Sequence, residues 1–251
     1  MSYFFTVSPD FTPDHISGWY IFNTWLQKAL GEGIHLELFN DFDAQRKVIA
    51  DDGVDLIYAN PFDASDLVRN KGFLPIAKAA EKGDEAIVVV RDDSPVQEVE
   101  DLQSGICLAS TDDPDVHLMG AIMLEPAELS AANTTRHVCS SYPIVAKELI
   151  RSEADVGFFL AEAYDGLSGL TRKQLRPLVR SQIGVIHHAL MVGPKLAHRR
   201  EDIRKLLLGM AQAEKGPGVL ESLGFTGWQS VEDEDTEFMI DLMETLTWQL
   251  E

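Results

Sequence analysis

One pattern constrains this chain more than any other: β-prone apolar runs alternate with helical apolar spacing, and the alternation begins twice. The first round opens with a run at 3–8 that stops at Pro9-Asp10. A helix over 14–30 follows, introduced by the turn and cap chemistry of Thr12, Pro13 and Asp14. Its Ile16, Trp19, Tyr20, Trp25, Leu26 and Leu30 are spaced for one buried face. A strand at 34–39, a helix at 43–51, a strand at 54–58, a helix opened by Asn60-Pro61 and a strand at 73–79 complete the round.

Ile87–Arg91 is β-branched enough for a central strand, and the Asp-Asp-Ser-Pro after it turns the chain into a second unit. Strands at 105–109, 136–140, 155–160 and 176–181 then alternate with helices at 115–124 and 143–152. An extended run at 185–192 precedes three helices at 198–214, 217–223 and 234–249. The reading is an α/β protein of two lobes, 1–88 with 187–251 and 89–186, whose two sheets are joined by two extended hinge crossovers.

Open α/β sheets bind ligands beyond the carboxyl ends of their strands. That rule selects the loops at 8–10, 40–42, 58–62, 110–113, 140–142 and 161–164. Forty-one acidic against twenty-one basic residues give a net charge of −20, which repels phosphate backbones and anionic lipid heads. Nucleic acid is therefore excluded as an expected partner, and no apolar run is long enough for membrane insertion. The two cysteines, Cys107 and Cys139, lie in apolar stretches that read as buried strands; reduced thiols are the default, with a cross-strand disulfide open. No metal-ligand spacing appears, no cofactor is expected, and GxSxG, P-loop, GxGxxG and HExxH motifs are absent. The first ten residues lack a basic and apolar leader pattern, so the sequence as written reads as cytoplasmic, or as periplasmic had a leader been removed.

Several segments carry a resemblance. Residues 43–62 join a helix, Gly53-Val54-Asp55 and the strand-end Asn60-Pro61; residues 87–105 join a crossover strand, Asp93-Ser94 and Asp101-Leu102-Gln103-Ser104-Gly105. Ala154–Phe158 and Leu223–Trp228 continue the match. Together they resemble the phosphate/phosphite/phosphonate-binding proteins of ABC importers, a branch of the type 2 periplasmic binding proteins. The resemblance implies a small-solute-binding protein, not an enzyme, that closes two lobes on a small polar ligand for uptake or sensing, with an ABC permease or a signalling partner. In that family an oxyanion rests on a Ser/Thr-rich loop leading into a lobe-two helix. Here the loop reads Ser110-Thr111-Asp112-Asp113-Pro114-Asp115, and its carboxylates oppose a dianion. Phe42 replaces a family tyrosine, a tyrosine near residue 85 is missing, and Ser141-Tyr142-Pro143 replaces a histidine.

The expected ligand-binding set is Asp10, Phe42, Tyr58, Asn60, Phe62, Ser110, Thr111, Asp112, Ser140, Ser141, Tyr142, Glu162 and His187. Each has a plain structural role beside the functional one. Asp112 and Asp113 precede a helix, where acidic caps are ordinary, and Ser110, Thr111, Ser140 and Ser141 can serve as caps or turns. Of His187 and His188, strand alternation turns one toward the site and the other away. The alternative functions are a metabolic enzyme on the same fold, with Asp112, His117, Glu162 or His187 as acid or base, and a cytoplasmic sensor or interaction module.

Overall fold

The computed structural model describes residues 2–10 and 15–248, side chains of the last two excepted. The capping role expected of Thr12, Pro13 and Asp14 lies outside the described residues. The chain divides into two units, one of Met1–Gly83 with His187–Asp241, the other of Asp84–Ile186 with Leu242–Glu251.

In the first unit β1 (Ser2–Val7) leads to α1 (Ile16–Leu30), β2 (Gly33–Leu36), α2 (Phe42–Ala50), β3 (Leu56–Ala59), α3 (Pro61–Ser65) and β4 (Leu74–Ala79). The strand expected at 34–39 is shorter because the chain leaves the sheet after Leu36. In the second unit come β5 (Ala86–Arg91), β6 (Cys107–Ser110), α4 (Pro114–Met123), β7 (Thr135–Val138), α5 (Tyr142–Ile150), β8 (Val156–Leu160), α6 (Ala161–Asp165), α7 (Gly169–Arg172) and β9 (Leu175–Arg180). The chain then adds β10 (Ala189–Val192), α8 (Arg200–Leu208), α9 (Gly216–Leu223) and β11 (Trp228–Ser230), and α10 (Asp233–Trp248) passes from the first unit to the second at Leu242.

The first sheet has the order β11-β4-β10-β3-β1-β2, the second β7-β6-β8-β5-β9. β1 is parallel to β2 and β3, while β10 runs antiparallel between β3 and β4. β6 is parallel to β7 and β8, and β5 is antiparallel to β8 and β9. β3 and β5 are buried on both faces, which is why they read as continuous apolar runs rather than alternating ones.

Phe5, Phe22 and Trp19 are buried in one face of the first sheet and meet edge to face, with centroids 5.8–6.2 Å apart. Burying a side chain of this size contributes roughly 2–3 kcal/mol. Gly18 lets α1 lie against α9: a Cβ there would stand 2.1 Å from the Ser222 carbonyl oxygen. Phe158 anchors the α4 face of the second sheet in the same way, against Gly120. Both cysteines are free thiols. Cys139 is buried, Cys107 half-buried, and burial with nearby carboxylates raises both above the ordinary thiol range.

Candidate functional site

In the first unit, strand register decides which predicted residues meet. β10 is antiparallel to β3 with Ala189 opposite Ala59, so the residue before β10 arrives beside the residue after β3. Those residues are His188 and Asn60, and both converge on Asp10 from the loop after β1. His188 Nε2 lies 2.9 Å from Asp10 Oδ2, and Asn60 Nδ2 donates to the same oxygen at 2.5 Å. Asn60 is itself fixed: its backbone N–H donates to Ser8 Oγ at 2.8 Å, and its Oδ1 caps α3 by accepting from Phe62 N at 2.9 Å. The imidazole of His188 stacks on Tyr58, centroids 5.4 Å apart and 22° from parallel. Burial works to raise the Asp10 carboxyl, but the charge and hydrogen bond of His188 with the bond from Asn60 outweigh it and hold Asp10 below the ordinary range.

His187, the histidine expected at the site, lies instead in the core, its Nδ1 3.0 Å from Met239 Sδ of α10. Of the two histidines His188 is the one bonded to Asp10, while His187 packs beside Met239.

Phe42 and Phe62 form a second cluster. Phe42 opens α2 and is buried, and Phe62 stands on the first turn of α3, partly exposed. The guanidinium of Arg46 lies between them, 5.1 Å from one ring centroid and 5.4 Å from the other, and bonds Asp63 through Nε at 2.7 Å and Nη2 at 3.2 Å. Burial keeps Asp63 above the usual carboxylate range despite Arg46. Both aromatic residues thus support an arginine absent from the sequence-level set. Gln45 was also missed; fully buried, it donates Nε2 to Thr6 Oγ1 at 3.1 Å and to the Val7 carbonyl at 2.8 Å, holding α2 to the end of β1.

In the second unit the carboxyl end of β6 carries Ser110, Thr111 and Asp113, all buried, while Asp112 is exposed. Asp113 Oδ1 accepts from the backbone N–H of Asp115 at 3.2 Å and of Val116 at 3.3 Å, and so caps α4. Its other oxygen accepts from the Tyr142 hydroxyl at 2.8 Å. The donors at the head of α4 therefore already hold an anion belonging to the chain. Arg136, another residue missed in the sequence, reaches from β7 to donate Nε to Ser110 Oγ at 2.7 Å and Nη2 to the Thr111 carbonyl at 2.6 Å. Behind them His117 packs on Phe158, centroids 6.1 Å apart, and burial, with the positive charge of Arg136, lowers its pKa to about 4.

Ser140 and Ser141 stand at the entry to α5, where Ser141 is the cap residue but its hydroxyl makes no cap bond. Glu162 is exposed on the first turn of α6. Glu85, standing where the family's tyrosine was expected, accepts from the Ser181 hydroxyl and from Gly184 N at 2.7 Å.

Residues 5–236 match the family described as the periplasmic substrate-binding protein of the phosphonate ABC transporter. The chain belongs to this family. Its members are binding proteins rather than enzymes, and this phosphonate-binding-protein relative has the corresponding two-lobed fold of the type 2 periplasmic binding proteins. XAC2383 from Xanthomonas citri, solved bound to ATP, superposes with a TM-score of 0.80 at 15% identity over 100% of this chain and 99% of that one. PhnD1 from Prochlorococcus marinus, solved with methylphosphonate, gives 0.82 at 11% identity over 98% of each chain. PA3383 from Pseudomonas aeruginosa, a binding component of an ABC phosphonate transporter, gives 0.77 at 15% identity over 100% of this chain and 89% of that one. No curated protein matches the sequence. At these identities the structures establish the fold, and membership of the family is consistent with a small polar solute as the ligand and an ABC permease as the partner class.

Proposed function

We propose that this protein is the solute-receiving component of an ABC importer whose ligand is a neutral or amine-bearing polar molecule rather than a phosphonate dianion. The observation that carries this reading is the position of Asp113. Its carboxylate accepts from Asp115 N, Val116 N and the Tyr142 hydroxyl, donors that would suit an incoming oxyanion. A dianion approaching the same helix end meets Asp112 and Asp113 as like charges, and each raises its cost. An ammonium or a hydroxyl-rich solute meets no such penalty and gains from exposed Asp112 and Glu162. Ser140 and Ser141 supply hydroxyls that suit a neutral polar group.

The importer role sets the working compartment on the receiving face of a permease, and fractionation of the native protein tests that. The ligand class is tested by thermal shift and calorimetry with phosphate, methylphosphonate, ethanolamine, putrescine, lysine and a neutral polyol, since a solute that binds only the folded protein raises its melting temperature. Stabilisation by an amine or polyol without response to methylphosphonate supports the reading. Micromolar methylphosphonate affinity would overturn it.

A further inference from the structure

Three carboxylates, Asp112, Asp113 and Asp115, fall within four residues at the head of α4, where the helix end favours negative charge but the carboxylates repel one another. The cap bonds of Asp113 answer part of that repulsion, and the guanidinium of Arg136 on the neighbouring strand adds an attractive charge for Asp112. We propose that Arg136 is the positioning residue of this half-site, locking the Ser110–Asp113 turn in the state that puts the Asp113 carboxylate on the head of α4. The functional consequence rests on the reading that this turn faces the solute; the positioning itself does not.

The geometry is specific. β6 and β7 are parallel with Arg136 opposite Leu108 and Val138 opposite Ser110, so the Arg136 side chain must run forward along the sheet to reach the strand end. It arrives as a fork, with Nε on Ser110 Oγ and Nη2 on the Thr111 carbonyl, one side-chain and one backbone acceptor on consecutive residues. The next link is already in place: Asp113 N donates to Thr111 Oγ1 at 3.4 Å, and Asp113 then caps the helix. Fixing Thr111 therefore fixes the starting point of the cap. The guanidinium also sets its charge beside Asp112 and close enough to His117 to disfavour the imidazolium. An ammonium on a lysine stem carries the charge but cannot span both acceptors as a planar fork.

The test uses the full chain without ligand and reads amide hydrogen exchange at Asp113, Asp115 and Val116, with Val88 and Val89 of the central strand β5 as controls. In Arg136→Gln the three amides should exchange at least about tenfold faster while the controls keep their rates. Arg136→Lys should behave like Arg136→Gln, and the His117 midpoint should rise when the guanidinium is removed. Wild-type rates at the three amides in Arg136→Gln, or restoration of those rates by lysine, would overturn the proposal. Should Arg136→Gln fail to fold, the Nε–H signal of Arg136 in the wild-type protein decides: slow solvent exchange supports the fork, and fast exchange refutes it. None of these results depends on which solute binds, so a failure here is distinct from a failure of the ligand-class reading, which the methylphosphonate titration alone decides.

Discussion

The two units treat a buried aspartate at a strand end in opposite ways. In the first, Asp10 is answered by a side chain from far along the sequence, the imidazole of His188, with Asn60 on the same oxygen. In the second, Asp113 is answered locally, by the first N–H groups of its own helix, and Tyr142 adds one hydroxyl. The first arrangement ties a crossover segment to two loops and spends the acid on holding the chain together. The second fills a helix end with a fixed carboxylate, which under the proposed function decides which solutes are tolerated. The same residue type is a fastener in one unit and, in the function proposed above, a filter in the other.

The comparison breaks most severely at His188. Its loss by His188→Ala leaves the Asp10 carboxylate buried without its imidazole partner, and such a truncation costs about 3–5 kcal/mol. Urea unfolding should show that loss, and the double variant Asp10→Asn with His188→Ala should recover part of it, because no charge is then stranded. A double variant no more stable than His188→Ala alone would show that the pair is not the fastener.

pH separates the units next. His117 stays neutral in the folded protein with a pKa near 4, against an ordinary 6.5, so it favours the folded state above pH 6.5. That contribution is lost as pH falls from 6.5 through 4, to a limit of about 3 kcal/mol. Asp10, also depressed, acts in the same sense at lower pH: its contribution is present above the usual aspartate range and fades as pH falls through its folded value. His117→Leu should flatten the stability profile between pH 6.5 and 4 while leaving the more acidic limb. A profile unchanged by that substitution would remove His117 from the account.

Smaller effects sharpen the filter. Asp113→Ala removes the α4 cap and should cost about 1–2 kcal/mol in thermal or urea unfolding. Tyr142→Phe removes one hydrogen bond to the same carboxylate and should cost about 1 kcal/mol. If Tyr142→Phe were as damaging as Asp113→Ala, the hydroxyl rather than the helix end would be the main partner of Asp113.

Much of the scaffold was legible in the sequence because it is written locally. Asn60-Pro61 announces a helix start by cap and fixed φ, and Asn60 does cap α3 there. The acidic turn before α4 announced a cap, and Asp113 supplies it. The pairings at the strand ends were not legible, because they are set by sheet register. His188 meets Asp10 across 178 positions and Arg136 meets Ser110 across 26, and nothing local to either residue marks the partner. Which of His187 and His188 turns toward Asp10 was not legible for a related reason: the run expected to be extended from 185 pairs in the sheet only from Ala189. Phe42 and Phe62, expected in strand-end loops, instead open α2 and α3, and the cation between them, Arg46, sits inside a helix and offers no motif.

The central claim is that Asp113 excludes oxyanions from the head of α4, and calorimetric titration of methylphosphonate into the wild-type protein and into Asp113→Asn tests it most directly. The account predicts no measurable heat of binding to the wild-type protein and a measurable affinity once the carboxylate is neutralised. Micromolar binding to the wild-type protein, or equal silence from both, would contradict it.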